Sequence, residues 1–406
     1  MPSKIKEDSK TRIILLRHGE STYNRLGLYQ GSCNDSVLTT NGILDAQHTG
    51  IYLAELGLNN KNLDLIYSSS LRRSYDTAQE IAQAIANTFE PKIIHTSDLL
   101  WETDLPQWRG LGIKYVRKSF PEEYHTWKHN PQDFFMESIE RVDNEVDSIS
   151  RFYPLVDLYS KIRLFWQDLL RNHFGQTILV VAHGGSNRAL ISAALGIEPK
   201  RYHCIQQSNC GISVLQFRGN SLESGQLEAM NLNSHMGYTI PKLQEGAGGI
   251  RLLLVCSEND VVNKHKLISC LRNIVLDFSI LEEGSNSFHT GQQILKYHSA
   301  TSQMSANSSN FLQHYTKIIK KRLNISTENK LSNGLVVAEL ETIKKLIGNI
   351  LGMSSQNLEK LNLQPGTISA IHYPSVELPP VLQAMNTSES EKYLIHKPEF
   401  AQSYLF

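Results

Sequence analysis

Residues 12–22, RIILLRHGEST, decide the fold. Ile13, Ile14, Leu15 and Leu16 form a short β-branched and leucine run of the kind that is buried on both faces of a sheet. The run ends abruptly on Arg17, His18 and Gly19. In open α/β sheets ligands gather beyond the carboxyl ends of the strands. An arginine and a histidine side by side at such an end therefore read as a site and not as a surface accident.

The same strand-then-helix rhythm recurs along the chain. LDLIYSS (63–69), KIIHTS (92–97), TILVVAH (177–183) and GISVLQF (211–217) read as further strands. LTTNGILDAQHTGIYLAELG (38–57) reads as a helix, with Thr39 or Thr40 as its cap and Gly57 at its end. A second helix follows through 75–89 and a third through RALISAALG. Alternation of this kind predicts an α/β fold of three layers, α/β/α, with a mostly parallel sheet. Between about 106 and 175 the rhythm loosens into aromatic and charged residues. We expect a helical insertion there over one end of the sheet, LVDLYSKIRLFWQDLLRN (155–172) having clear helical periodicity. Within it Trp108, Tyr115, Phe120, Tyr124 and Trp127 read as helix core or lid. The polar run YHSATSQMSANSSN (297–310) reads as a loop.

The chain also resembles itself. LVVAHGGSNRALISAALGI (179–197) aligns without gaps with LVVAELETIKKLIGNILGM (335–353), and at the same spacing ISVLQF (212–217) meets ISAIHY (368–373). AMN recurs at 229–231 and 384–386, and RLLLVCSEND (251–260) is similar to RIILLRHGES (12–21). We read a tandem duplication with a shorter, degenerate second copy, and LQEGAGG (243–249) as the linker. The expected domains are 1–242 and 243–406. The copies are unequal in chemistry: Cys256-Ser257 stands where the first has Arg17-His18, and Glu339-Leu340-Glu341 where it has His183-Gly184-Gly185.

Bulk composition limits the function. With 406 residues the chain exceeds one ordinary core. A 40% apolar content, 20% charged residues and zero net charge fit a globular protein with neither nucleic acid nor an anionic membrane as partner. The five cysteines are scattered without a CxxC, so no metal site or disulfide framework is expected. The opening MPSKIKEDSKTR has no apolar stretch and no apolar run reaches membrane length, from which we expect a cytoplasmic setting. The sequence sets no oligomeric state.

At the strand ends stand Arg17-His18, Arg72-Arg73, Glu102 and His183. Arginine forks match tetrahedral oxyanions, a histidine between them can attack phosphorus, and a carboxylic acid can protonate the leaving oxygen. Asp104, two residues on, is the rival for that acid.

These residues carry a resemblance. LLRHGESTYN (15–24), SSLRRSYDTA (69–78), LWETDLPQWRG (100–110) and VVAHGGSNRAL (181–190), in that order, resemble the four blocks of the histidine phosphatase superfamily, and LNSHMG (232–237) is similar to its closing segment. Ser21 stands at that family's threonine position and Ser74 at its alanine. The resemblance implies His18 as the nucleophile that becomes phosphorylated. It implies Arg17, Arg73 and His183 around the phosphoryl group, with Asn24 and the Gly184 backbone in support, and Glu102 as general acid and base. Its register selects Arg73 over Arg72. It implies neither cofactor nor metal. WETDLPQWRG lacks the Arg-His-Tyr of the mutase branch, which implies a phosphatase, with phosphoglycerate-type mutase and regulatory binder of phosphorylated ligands as the alternatives. The active-plus-degenerate arrangement resembles plant and cyanobacterial proteins related to 2-carboxy-D-arabinitol-1-phosphatase. That implies a small phosphorylated metabolite, a sugar phosphate or phosphorylated acid, with α-ribazole phosphate and phosphoserine as alternative substrates.

Overall fold

The computed structural model describes residues 10–388, apart from 60, 87–91, 143–144, 245, 257–260, 285, 300 and 326–329. Its elements run β1 (Lys10–Arg17), α1 (Thr22–Leu26), α2 (Thr40–Glu55), β2 (Leu65–Ser69), α3 (Arg72–Ala86), β3 (Ile94–Ser97), α4 (Ile113–Ser119), α5 (Pro121–His129), β4 (Met136–Val142), β5 (Glu145–Phe152), α6 (Pro154–Asn172), β6 (Thr177–Ala182), α7 (Gly184–Leu195), β7 (Ile212–Arg218) and β8 (Gln226–Leu232). They continue as β9 (Gly249–Cys256), α8 (Val261–Arg272), β10 (Phe278–Glu283), α9 (Asn286–Leu295), β11 (Ser302–Asn307), α10 (Phe311–Leu323), β12 (Leu331–Ala338), α11 (Leu340–Leu351), β13 (Ile368–Tyr373) and β14 (Val381–Thr387).

Alternate side chains of β1 enter different cores. Ile13 and Leu15 pack with Leu158, Ile162 and Trp166 of α6 and Leu190 of α7. Ile14 and Leu16 pack with Ala46 and Leu53 of α2 and Ile81 and Ala82 of α3. Since successive strand side chains point to opposite faces, both faces of the sheet are covered by helices. In the second half β9 does the same. Leu252 and Leu254 join Phe311 of α10 and Ile343 of α11; Leu253 and Val255 join Leu267 of α8 and Ile294 of α9. Thr39 caps α2 by accepting from Gly42 N, and α7 closes on Gly196, whose φ of 71° suits glycine.

One twelve-stranded sheet spans the described residues, in the order β11-β10-β12-β9-β13-β14-β8-β7-β1-β6-β2-β3. The sheet is mixed: six of its strand pairings are parallel and five antiparallel. The outer strands of each half run parallel to their neighbours, while β7, β8, β14 and β13 at the centre pair antiparallel. The centre is antiparallel because each half ends in a hairpin-linked pair, and the two pairs meet edge to edge at Met230 and Met385. Two expectations change. The insertion holds α4, α5 and α6 but also the hairpin β4–β5, whose charged, alternating residues gave no buried-strand signal. The polar run 297–310 contains β11, an edge strand with mostly exposed side chains, which polarity hides from a hydrophobic reading. The end of the helix expected to reach residue 89 and Ser257 lie outside the described residues. Among the described residues no helix is long and apolar enough to cross a membrane.

The β8–β14 seam is held by two asparagines. Asn231 and Asn386 both have positive φ, 54° and 63°. Asn231 Nδ2 donates to Gln383 O of β14 at 2.7 Å, and Asn386 Nδ2 donates to Glu228 O of β8 at 2.7 Å. The backbone N–H of each donates to a strand serine, Ser213 in one case and Ser369 in the other. Removing either side chain leaves buried partners unsatisfied at a backbone conformation that asparagine tolerates better than most residues. We therefore expect Asn231→Ala to lower unfolding free energy by about 2–4 kcal/mol, measured as a drop in the urea midpoint. A change within error would show that the seam does not depend on this bond.

Candidate active site

The site is set by strand register. β1 and β6 run parallel with Arg17 opposite Ala182. The next residue of each chain segment is a histidine, so His18 and His183 arrive together, their ring centroids 5.1 Å apart. His18 N donates to Ala182 O at 2.9 Å, continuing the ladder past the strand end. β2 lies beside β6, and its last residue, Ser69, puts its hydroxyl 2.9 Å from His183 Nε2. Both histidines are buried.

His18 is oriented from every side. Its Nδ1 lies 2.7 Å from Gly19 O. A carbonyl only accepts, so Nδ1 carries the proton and the neutral ring keeps its lone pair on Nε2. Gly19 N donates to Thr77 Oγ1 at 3.0 Å, and Thr77 Oγ1 donates to Arg73 O at 2.6 Å. Asn209 Nδ2 donates to His18 O at 2.8 Å and to Asn24 Oδ1 at 3.1 Å. Asn24 Oδ1 also accepts from Ser21, closing the cap of α1. Residue 19 has to be glycine: a β-carbon there would stand 2.4 Å from Gly42 O.

Arg73, in the first turn of α3, is fully buried. Nη1 donates to Cys33 O at 2.7 Å and Nη2 to Gly31 O at 2.9 Å. Arg17 Nη1 donates to Gln207 O at 2.7 Å. The Nε of each arginine is buried and makes no hydrogen bond within the protein. Arg72 behaves differently: it is exposed and pairs with Asp76 at 3.4 Å. Burial pulls the Arg17 guanidinium down to about 10 and lowers Arg73 as well. Burial, followed by the charges of Arg73 and Arg17, holds both His18 and His183 well below the ordinary imidazole value. The imidazoles are therefore neutral at physiological pH.

Glu102 acts electrostatically on both arginines, partly offsetting their burial. Its carboxylate accepts from Gly185 N at 2.9 Å and Thr103 N at 2.8 Å, seated on the N-terminus of α7, where the helix dipole favours an anion. A β-carbon on Gly185 would stand 2.1 Å from Glu102 Oε1. Asp104 turns away to Ser32 N and to Arg109, 2.9 Å off. Gly184 lies beside the Arg17 guanidinium.

The structure thus brings His18, His183, Arg17, Arg73, Glu102 and Gly184 into one cluster, with Asn24 two hydrogen bonds from His18 through Asn209. Sequence reading did not pick out Asn209, Thr77, Ser69, Tyr202 or Arg188. Arg188 donates to Ile205 O at 2.7 Å, lies over the Tyr202 ring and adds its charge to the surroundings of Arg17. Tyr202 OH bonds Thr103 Oγ1 at 2.6 Å beside Glu102. Arg188 lies within a quoted block and was legible there; Asn209 sits in a loop with no pattern of its own. His173, half-buried, is bonded to Tyr67 OH at 2.9 Å. Among the described residues no three His, Cys, Asp or Glu side chains cluster as metal ligands do.

Comparison with known proteins places these residues in a wider group. The family model described as "Histidine phosphatase superfamily (branch 1)" matches residues 13–231. A "Probable 2-carboxy-D-arabinitol-1-phosphatase" of Arabidopsis thaliana is 33% identical over 210 residues, covering 52% of this chain and 39% of the relative. The 2-carboxy-D-arabinitol-1-phosphatase of Triticum aestivum is 31% identical over 248 residues, covering 60% and 45%. The chain thus spans less than half the length of these two relatives. A crystal structure of phosphoserine phosphatase from Entamoeba histolytica, in complex with 3-phosphoglyceric acid, is 28% identical. It covers 56% of this chain and 99% of that one, with a TM-score of 0.43.

The buried imidazoles set a pH dependence. His18, His183, His203 and His235 all have lowered values, His235 to about 4, with burial as the leading cause. The unfolded chain takes up these protons near pH 6.5, the folded chain only at lower pH. Below about 6.5 the unfolded state binds more protons, so stability falls as pH drops, by up to about 1.4 kcal/mol per pH unit for each such histidine. Urea midpoints at about pH 7.5 and about pH 5.5 should show the lower value at the acid end, and His203→Gln should flatten the difference. A midpoint that holds or rises on acidification would contradict the burial argument.

Proposed function

The chain belongs to branch 1 of the histidine phosphatase superfamily, and on that footing we propose that it hydrolyses a phosphomonoester of a small metabolite through a phosphohistidine. In the proposed reaction His18 Nε2 attacks phosphorus while the bond to the ester oxygen breaks. The Glu102 carboxyl gives that oxygen its proton, then takes one from a water that attacks the phosphohistidine. The N–P bond breaks, phosphate leaves and the lone pair returns to Nε2. Arg17, Arg73 and His183 hold the three phosphoryl oxygens and stabilise the charge spread over them. Asn24, through its amide nitrogen, and the Gly184 backbone support the phosphate. One observation carries this reading: two buried guanidinium Nε donors without protein acceptors stand beside a neutral imidazole whose Nε2 is left free.

We take the substrate to be a sugar phosphate or phosphorylated acid, such as 2-carboxyarabinitol 1-phosphate. The names of the two plant relatives support the acid, and so does Arg188, a third cation close to Arg17. The free state of all five cysteines is in keeping with a cytoplasmic setting.

We further read 1–242 as the catalytic domain, with its insertion at 106–175, and 243–406 as a degenerate, non-catalytic copy. The strand order supports this: β3-β2-β6-β1-β7-β8 is mirrored by β11-β10-β12-β9-β13-β14. So does the reciprocal pair Asn231 and Asn386. In the second half Glu282 occupies the place that Ser69 has in the first. Its buried carboxylate accepts from Glu339 N at 2.7 Å and Thr342 Oγ1 at 3.2 Å. An internal anion thus sits on the N-terminus of α11.

A panel of sugar phosphates, phosphoserine, phosphoglycerates and α-ribazole phosphate, assayed with EDTA, tests the activity. Hydrolysis should survive chelation, vanish in His18→Ala and fall by about 10²–10⁴-fold in Glu102→Gln. Hydrolysis undiminished in His18→Ala would exclude the phosphohistidine. For the second half, residues 1–242 expressed alone should aggregate or unfold at lower urea, because the β8 edge and its asparagine lose their partners. A truncated chain as stable and as active as the whole would rule out the scaffolding role.

A further inference from the structure

Residues 205–209 lie between the turn Pro199–Cys204 and β7, and the cluster around His18 leans on them. Gln207 O accepts the one hydrogen bond that the Arg17 side chain makes among the described residues. Asn209 Nδ2 donates to His18 O, Gly19 O and Asn24 Oδ1. Ile205 O accepts from Arg188 Nε. The loop is itself seated on the second half of the chain. Ile205 bridges in parallel to Leu382 of β14, and Gln206 N donates to Leu382 O at 2.9 Å. Gln383 Nε2 donates to Gln206 Oε1 at 3.3 Å, while Gln383 Oε1 accepts from Arg251 Nε of β9 at 3.2 Å. Ser208 N donates to Asn231 Oδ1 at 2.7 Å, and Asn231 is bonded in turn to Gln383 O. Gln206, Gln207, Leu382 and Gln383 are all buried.

The arrangement is reciprocal. Leu361 of the second half bridges in parallel to Leu227 of β8, and Asn362 N donates to Leu227 O at 3.0 Å. Each half therefore lays a loop on the last strand of the other. The consequences differ, because β1 ends on Arg17 and β9 ends on Cys256. Only the loop of the first half has a guanidinium and an imidazole to hold. A main-chain carbonyl can fix a guanidinium only as firmly as its own peptide is fixed, and small displacements of reacting groups are costly in rate.

We propose that Gln383, in the half without the histidines, is a positioning residue for the site in the other half. It acts through Gln206, 177 positions earlier in the sequence. By fixing that residue it sets the Gln207 carbonyl under Arg17 and the Asn209 amide behind His18. Gln383 touches neither the reacting atoms nor the phosphate site. For its effect on rate the inference rests on the phosphohistidine reading; for its effect on geometry it does not. The second half thereby has a task beyond covering the β8 edge, and that task is local to Leu382 and Gln383.

Gln383→Met in the full chain tests it, since methionine keeps the length of the side chain and removes its amide. With p-nitrophenyl phosphate as substrate, kcat should fall about tenfold. Gln206→Met should also lower kcat, and the double variant should lose less than the product of the two losses, because both remove one contact. The control is Asn386→Ala. The Asn386 amide bonds Glu228 O, Asn362 O, Gln364 N and Thr367 Oγ1 instead of the 205–209 loop. Asn386→Ala should lower the urea midpoint yet keep kcat within about twofold, which separates positioning from general stability. A second readout needs no activity: the imidazole nitrogen resonances of His18, identified by their loss in His18→Ala. They should shift in Gln383→Met and stay in place in Asn386→Ala. The inference is overturned if Gln383→Met leaves the His18 resonances in place, if it leaves the kcat of an active parent unchanged, or if Asn386→Ala lowers kcat as much. Should no hydrolysis depend on His18, the phosphohistidine reading fails alone and the resonances decide the inference.

Discussion

Arg73 is a full positive charge with none of its surface exposed, held at its tip by two main-chain oxygens, Cys33 O and Gly31 O. Few arrangements are less favourable for a guanidinium, since carbonyl dipoles replace only part of the lost hydration. Much of the first half is arranged around this charge. The 31–34 loop is folded back to supply the carbonyls, and its Asn34 side chain receives the Arg72 N–H where α3 begins. Thr77, one turn along α3, ties Arg73 O to the Gly19 backbone. The charge then adds to burial in keeping both histidines neutral, and with Arg17 it leaves two Nε donors without acceptors. A site built in this way is complementary to a multiply charged anion before any ligand arrives, which is the condition for electrostatic catalysis without reorganisation.

The second constraint is the sheet edge. Each half ends in an antiparallel pair whose outer strand would present unpaired backbone groups to solvent. β8 and β14 resolve this by facing each other, and each sends one asparagine amide to the other's carbonyl. The hydrophobic core containing Ile13 and Trp166 accordingly continues into Leu252 and Ile347 without a break. The halves are thus joined by main-chain pairing and shared core rather than by a tether. On the proposed duplication, this explains how a copy without its histidines can persist: its contribution is the seam, and the seam does not require a phosphate site.

On the proposed duplication, the loss of chemistry in the second half has a consistent physical form. Where the first half keeps a hydroxyl, Ser69, next to a histidine, the second keeps the carboxylate of Glu282 bonded to the N-terminus of α11. Lys344, which aligns with Arg188, is paired with Glu341 and Glu359. Charges that remain open to a ligand in the first half are matched internally in the second.

The sequence by itself determined β1, β2, β3, β6 and β7, the position of Arg17 and His18 at a strand end and the second histidine, while the choice of Arg73 over Arg72 came from the family resemblance. The former follow from local rules: apolar runs, punctuation by glycine, and residue types placed where a strand stops. It also held the internal similarity on which the proposed duplication rests. Tertiary structure alone decided the rest. That Glu102 and not Asp104 sits by the arginines depends on which one meets the Gly185 N–H, eighty-three positions away in sequence. Asn209 orients His18 through a bond that no local pattern encodes. Polar edge strands such as β11 carry no hydrophobic period to read. The central antiparallel seam depends on two asparagines that each look ordinary until the other is opposite. Periodicity records which face of an element is buried, whereas hydrogen bonds between distant segments exist only after the chain has closed on itself.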